Sequence, residues 1–219
     1  MPAPDTDAEK RVAAEAAAEL VADGDTVGLG TGSTVAELLP ALAARRLEIV
    51  CVATSPATQQ RAADLGIEVR AFDQLARLDI AIDGADQIAP DGWLVKGGGG
   101  AHTREKIVAN AADRFVVIAD SSKPVEAISA PVPLELHRFG LVATLWELDT
   151  VAVREGAPPS PDDGVIADYT GEVGDPVLLA ARLAATPRVV DHGLFAPAIT
   201  SEVLIGRGDA VERLELRTG

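Results

Sequence analysis

Apolar positions fall along the chain in short blocks whose period switches between helix and strand. Residues 6–22 are alanine-rich with a helical repeat and close on Asp23-Gly24-Asp25. TVGLG (26–30) reads as a short buried strand, followed by a glycine-rich turn and a helix over about 33–45. EIVCVA (48–53) is a second strand, and a helix over 56–65 ends at Gly66, a residue suited to the position just past a helix. A short strand at 67–71, an apolar strand LDIAID (78–83) and a brief extended WLVK come next. TREKIVANAAD (103–113) has helical spacing, and RFVVIAD (114–120) is another strand. Strands alternating with helices in this way predict a largely parallel sheet with helices on both faces.

From about residue 131 the rhythm changes. VPLEL, a helix at 139–148, TVAVR (150–154), VIADY (165–169), a helix at 176–185 and RVVDHG give the order β-α-β-β-α-β, the ferredoxin-like unit. EVLIG and AVERLEL (202–216) offer two further strands that rejoin the first domain. The expected class is therefore α/β: a Rossmann-like sheet domain from residues 1–128 and 199–219, and a smaller α+β domain from 129–198.

Composition narrows the partners. Of 219 residues, 47% are apolar and 24% charged, enough for a sizeable core and incompatible with a disordered chain. No apolar run approaches the ~18 residues of a membrane helix, and MPAPDTDAEK lacks the basic start and apolar stretch of a secretion signal. A net charge of −15 disfavours nucleic acid and anionic membranes. Cys51 stands alone, which excludes an internal disulfide and fits a reducing cytoplasm. His102, His137 and His192 with one cysteine do not make the usual closed zinc site.

Four segments carry chemistry. GLGTGST places Thr31, Gly32, Ser33 and Thr34 between a strand and a helix, where free amides and the helix dipole favour an anion. Ser33 stands where a dinucleotide fingerprint needs its third glycine, no acidic residue closes the next strand, and the Gly-Lys pair of a P-loop is missing. A small phosphate or hydroxylated group fits; an ordinary capped turn would show the same residues. DGADQ sets Asp83, Gly84, Ala85 and Asp86 just past the third strand, at the edge where open α/β sheets bind ligands, although Asp and Gly are also common turn formers. KGGGGAHTREK strings Gly97, Gly98, Gly99 and Gly100 between Lys96 and Glu105. Four glycines cost conformational entropy and add no packing, so a close backbone approach to a ligand is the better reading. Thr103 can cap the following helix, and His102 reads as a surface or loop histidine. Finally, ADSSKPVE presents Lys123 after a strand; lysine occurs only at 10, 96, 106 and 123 among 19 cations.

The TGST turn, DGAD, KGGGGA…TREK and ADSSKPV together resemble the ribose-5-phosphate isomerase A family, in order and spacing, over nearly the whole chain. VVDHGLF…EVLIG extends the likeness. Departures are Gln87 where Glu is usual, PLELHRFG in place of a PVEV-type segment, and Arg188 where Gly often stands. The resemblance implies interconversion of D-ribose 5-phosphate and D-ribulose 5-phosphate through an enediolate, with no cofactor and no metal, in a cytoplasmic homodimer. It implies Glu105 as the base, Lys96 and nearby amides at the oxyanion, and Asp83 assisting proton movement on the sugar oxygens. Asp86 and Lys123 would position the sugar and residues 31–34 the phosphate, with Lys10 a weaker addition. A non-catalytic sugar-phosphate sensor is the alternative; an amino-sugar phosphate deaminase or a CoA transferase fits the motif order less well.

Overall fold

A computed structural model describes residues 5–216, which divide into two compact units. The first comprises residues up to Ala85, Glu105–Lys123 and the chain from Pro197 onward. Its elements are α1 (Thr6–Ala18), β1 (Thr26–Leu29), α2 (Ser33–Arg45), β2 (Val50–Ala53), α3 (Pro56–Asp64) and β3 (Leu78–Gly84). After a departure into the second unit, which contains β4 (Gln87–Ile88) and β5 (Leu94–Val95), come α4 (His102–Ala111) and β6 (Ala112–Ala119). The second unit continues with β7 (Val132–Leu136), α5 (Leu141–Leu148), β8 (Val151–Val153), β9 (Val165–Tyr169), α6 (Pro176–Ala184), β10 (Val189–His192) and β11 (Leu194–Phe195). The first unit closes with the antiparallel hairpin β12 (Glu202–Arg207) and β13 (Ala210–Glu215).

The six strands of the first unit lie in the order β13-β12-β6-β3-β1-β2, all parallel except the β13 edge. Side-chain alternation explains the layers. Val27, Leu29, Ile80, Ile82, Val116 and Ile118 share a core with Ala14 and Ala17 of α1 and Leu38, Leu39 and Leu42 of α2. On the opposite face, a Cβ at Gly28 would collide with Val108 of α4, so glycine lets that helix settle on the sheet. Helices therefore cover both faces. The chain leaves β1 toward β2 on one side and returns on the other as β3, which puts the topological switch point between the ends of β1 and β3.

The second unit has a four-stranded antiparallel sheet in the order β10-β7-β9-β8, with α5 and α6 placed in sequence as the β-α-β-β-α-β pattern expects. A three-stranded sheet, β11-β5-β4, lies beside it in the same unit. Here the observed grouping differs from the expected boundaries, because residues 86–104 and 124–128 belong with this unit. Two-residue strands have no readable period, and their partner β11 is a hundred residues away. Lys96 N–H donates to Gly193 O (2.9 Å), and Ala89, Trp93 and Val95 join the core of Leu134, Leu136 and Leu183. The strand expected at 67–71 reduces to a single bridge between Cys51 and Val69.

Candidate active site

In the first unit, Asp83 sits at the carboxyl end of β3 with 3% exposure. Its Oδ1 accepts from the amides of Thr31 (3.0 Å) and Gly84 (2.7 Å). Gly30 makes this possible: a Cβ there would overlap the Asp83 carboxylate. The Thr31 hydroxyl shares a hydrogen bond with Thr54 (2.7 Å), and Thr58 Oγ1 donates to Gly30 O (2.9 Å), so β2 and α3 brace the turn. Gly32 is the N-cap of α2, with a φ of 120° and no side-chain cap, and Ser33 and Thr34 begin the helix. The first-turn amides of α2 thus carry no capping oxygen from the preceding residue. Glu105 lies in the first turn of α4 and is 3% exposed.

Lys123 ends a tight turn after β6. Its amide donates to Asp120 O (3.2 Å), and the Ser122 amide and hydroxyl both donate to Asp120 Oδ1. Glu9 of α1 pins this turn: its Oε2 accepts from the Ser121 amide (3.0 Å) and hydroxyl (2.6 Å), and its Oε1 from Gly208 N–H (3.0 Å). The Ser121 hydroxyl, then the Gly208 amide, hold the Glu9 carboxyl below its ordinary value. Glu9 was not legible as special; a lone acidic residue on an exposed-looking helix gives no signal.

In the second unit, Asp86 is exposed and its Oδ2 accepts from Gly98 N–H (2.8 Å). Lys96 is 2% exposed, with Nζ 5.4 Å from the centre of the Phe195 ring, a cation–π distance. Gly98 and Gly99 are exposed while Gly97 and Gly100 are buried, the run thus presenting its middle to solvent. Two expectations change here. His102 is fully buried at the start of α4, packed where a Cβ on Gly97 would be 2.7 Å from its Nδ1, so glycine at 97 admits the ring. Thr103 lies inside the helix and its hydroxyl donates to buried Glu135 (2.5 Å) rather than capping.

Arg154, which no sequence motif marks, hydrogen-bonds the carbonyls of both Gly97 and Gly98. The two departures from the family pattern acquire local roles. Gln87 donates to Ser129 O and accepts from Ser129 N–H, both at 2.9 Å, a reciprocal pair that a glutamate cannot complete. Arg188 forms an ion pair with Glu147, both of the second unit. Among the described residues, no group of three or more His, Cys, Asp or Glu side chains could hold a metal ion, and no helix is long and apolar enough to cross a membrane.

Comparison with known proteins decides the family. The family model described as ribose 5-phosphate isomerase A (phosphoriboisomerase A) matches residues 50–210. The chain belongs to the ribose 5-phosphate isomerase A family. A family member from Caulobacter vibrioides, named ribose-5-phosphate isomerase A, is 44% identical over 95% of this chain and 98% of its own length. The ribose 5-phosphate isomerase A structure from Methanocaldococcus jannaschii has a TM-score of 0.88 at 32% identity, covering 94% of this chain and 97% of that one. A D-ribose-5-phosphate isomerase solved in complex with phospho-erythronic acid matches with a TM-score of 0.90 at 30% identity, over 97% of this chain and all (100%) of that one. A second family model, the DeoR C terminal sensor domain, matches residues 5–72. An initiation factor eIF-2B from Pyrococcus horikoshii, 18% identical with a TM-score of 0.54, shares the fold alone.

Proposed function

We propose that the residues above isomerise ribose 5-phosphate by proton transfer, with Glu105 as the base. The activity itself, ribose-5-phosphate isomerisation, comes with family membership; the division of labour among residues is the proposal. Glu105 removes the C2 proton of the open-chain aldose, the electron pair moves toward the C1 carbonyl oxygen, and the same carboxyl returns a proton to C1. The enediolate between these steps carries charge on oxygen, which the Lys96 ammonium and the Gly99 amide stabilise. Asp83 moves protons among the sugar oxygens, Asp86 and Lys123 position the sugar, and the amides and hydroxyls of Thr31–Thr34 take the phosphate.

One observation carries this reading. A buried carboxylate, Asp83, is tied to the amide of Thr31 at the switch point of the parallel sheet, where α/β folds bind ligands. Phospho-erythronic acid, bound in the structure of one relative, is a phosphorylated sugar acid, consistent in class with an anion-binding strand end. The proposal extends to a cytoplasmic homodimer that needs neither metal nor dissociable cofactor. The sensor reading draws on the match over residues 5–72, which includes the Gly28–Thr34 turn but stops short of Asp83 and Glu105; it accounts for phosphate binding and leaves the chemistry out.

The test is purified protein incubated with ribose 5-phosphate in the presence of EDTA. Formation of ribulose 5-phosphate is expected. Binding without turnover would favour the sensor, and activity that vanishes with EDTA and returns with a divalent ion would overturn the metal-free mechanism.

A further inference from the structure

The run Gly97–Gly100 has no side chains and one internal hydrogen bond, Gly100 N–H to Gly97 O (3.0 Å), and its peptide planes are otherwise fixed from far along the sequence. Arg154 directly follows β8, and its amide donates to Ile166 O (3.0 Å), so its backbone is still part of the sheet. Its Nε and Nη2 donate to the two oxygens of Asp168 at 2.8 and 2.6 Å, the two-pronged pairing that guanidinium and carboxylate planes allow. Asp168 lies on β9 opposite Ala152. The remaining nitrogen, Nη1, donates to Gly98 O at 2.9 Å and Gly97 O at 3.2 Å. Both partners are mostly withdrawn from water, with side-chain exposures of 24% and 18%. The Asp168 hydrogen bonds raise the Arg154 pKa further above its already high ordinary value.

Peptide planarity turns these contacts into an orientation. In a trans peptide the C=O and the following N–H point to opposite sides. For the Gly97–Gly98 peptide, the oxygen is on Arg154 and the N–H is on Asp86 (2.8 Å). For the Gly98–Gly99 peptide, the oxygen is again on Arg154, so the Gly99 N–H is directed away from the guanidinium. Glycine populates both signs of φ with ease, so the internal Gly100–Gly97 bond alone leaves the Gly98–Gly99 plane free to flip. A flipped plane presents a carbonyl oxygen where a developing oxyanion needs a donor. The far end of the segment is clamped as well: Thr103 donates to Glu135, which also accepts from Ser160 (2.5 Å), and Arg104 pairs with Asp162.

We propose that Arg154, held by Asp168, is a positioning residue for the isomerisation, fixing two successive peptides so that the Gly99 N–H faces the reacting oxygen. The inference rests on the role assigned above to Lys96–Gly99. Arg154 itself acts through the loop and touches no reacting atom. Lysine is no substitute, because a single ammonium cannot grip Asp168 with a rigid fork and hold two carbonyls at once.

The experiment measures kcat, KM and melting temperature for wild type, Arg154→Ala, Arg154→Lys and Asp168→Asn with ribose 5-phosphate. Misplaced donors cost turnover more than binding, so kcat should fall about 10- to 100-fold in Arg154→Ala with KM within about 3-fold. Arg154→Lys should fall in the same direction, Asp168→Asn less, and millimolar guanidinium should restore part of the Arg154→Ala kcat. Near-wild-type kcat in both Arg154 variants overturns the inference, as does a loss that follows melting temperature across the series without guanidinium rescue. If Arg154→Ala fails to fold, the kcat and KM of Arg154→Lys decide. An inactive wild type overturns the isomerase reading instead, whereas an active wild type with undisturbed Arg154 variants overturns this inference alone.

Discussion

Asp83, at the end of β3, and Asp86, just past it, are three residues apart and are held in opposite ways. Asp83, in the first unit, is buried and receives two backbone amides at a strand end, with Gly30 vacated to admit it. Asp86, in the second unit, is exposed and instead does the holding, accepting the Gly98 amide of a loop whose carbonyls go to Arg154. One region gets its geometry from regular secondary structure, where register and a missing Cβ fix a carboxylate. The other gets it from side chains that grip a featureless backbone. Strand-end sites of the first kind are rigid because the whole sheet would have to move; loop sites of the second kind depend on a few charged hydrogen bonds and fail when one is removed.

The largest expected effect tests the chemistry of the buried carboxylates. Glu105→Gln keeps size and hydrogen bonding but removes the base, so kcat should fall on the order of 10²–10⁴-fold while calorimetric affinity for a non-reacting pentose phosphate analogue changes little. Unchanged kcat would break the assignment. On the loop side, Lys96→Ala should lose on the order of 10²–10³-fold in kcat/KM, because a buried ammonium 5.4 Å from the Phe195 ring centre is fixed in place. Lys106→Ala, one turn into α4 and half-buried, should lose far less; equal losses would remove the distinction between loop and helix.

Gly30→Ala sharpens the strand-end half of the comparison. The added methyl must displace Asp83 or the turn, costing about 1–3 kcal/mol of stability and on the order of 10²-fold in kcat. Wild-type activity there would mean the Asp83 geometry is dispensable. The smallest effect concerns Glu9. Its carboxyl titrates below its ordinary value of 4.5, so the ionised form stabilises the fold. That contribution is fully present above about pH 4.5 and drains away as pH falls through the lower folded value. Glu9→Gln should melt a few degrees below wild type at pH 7, with the gap closing under acid conditions in a thermal melt series. A gap independent of pH would assign the loss to packing instead.

Much of this was legible in the sequence for a physical reason. β1, β3 and β6 are buried on both faces and read as short apolar runs, and each of the GLGTGST, DGAD and ADSSKPV segments follows one of them directly. The β-α-β-β-α-β order also survives, because its helices and strands are long enough to show a period. The two-residue strands β4, β5 and β11 are not, and with them the assignment of residues 86–104 was lost. Arg154 was illegible because its partners, Gly97, Gly98 and Asp168, lie on other elements and no local pattern marks a lone arginine after a strand. His102 misled for the complementary reason: a histidine beside a glycine run gives no local sign of burial, yet its ring packs against Gly97.

The central claim is that a carboxylate, Glu105, carries the substrate proton from C2 to C1. Turnover of ribose 5-phosphate by wild type and Glu105→Gln in D₂O, followed by NMR, tests it most directly. The account predicts, for wild type, ribulose 5-phosphate whose C1 hydrogen is partly carried from C2 and partly drawn from D₂O by exchange on the carboxyl, and loss of isomerisation, by at least ~10²-fold, for the variant. Isomerisation undiminished in Glu105→Gln would contradict it.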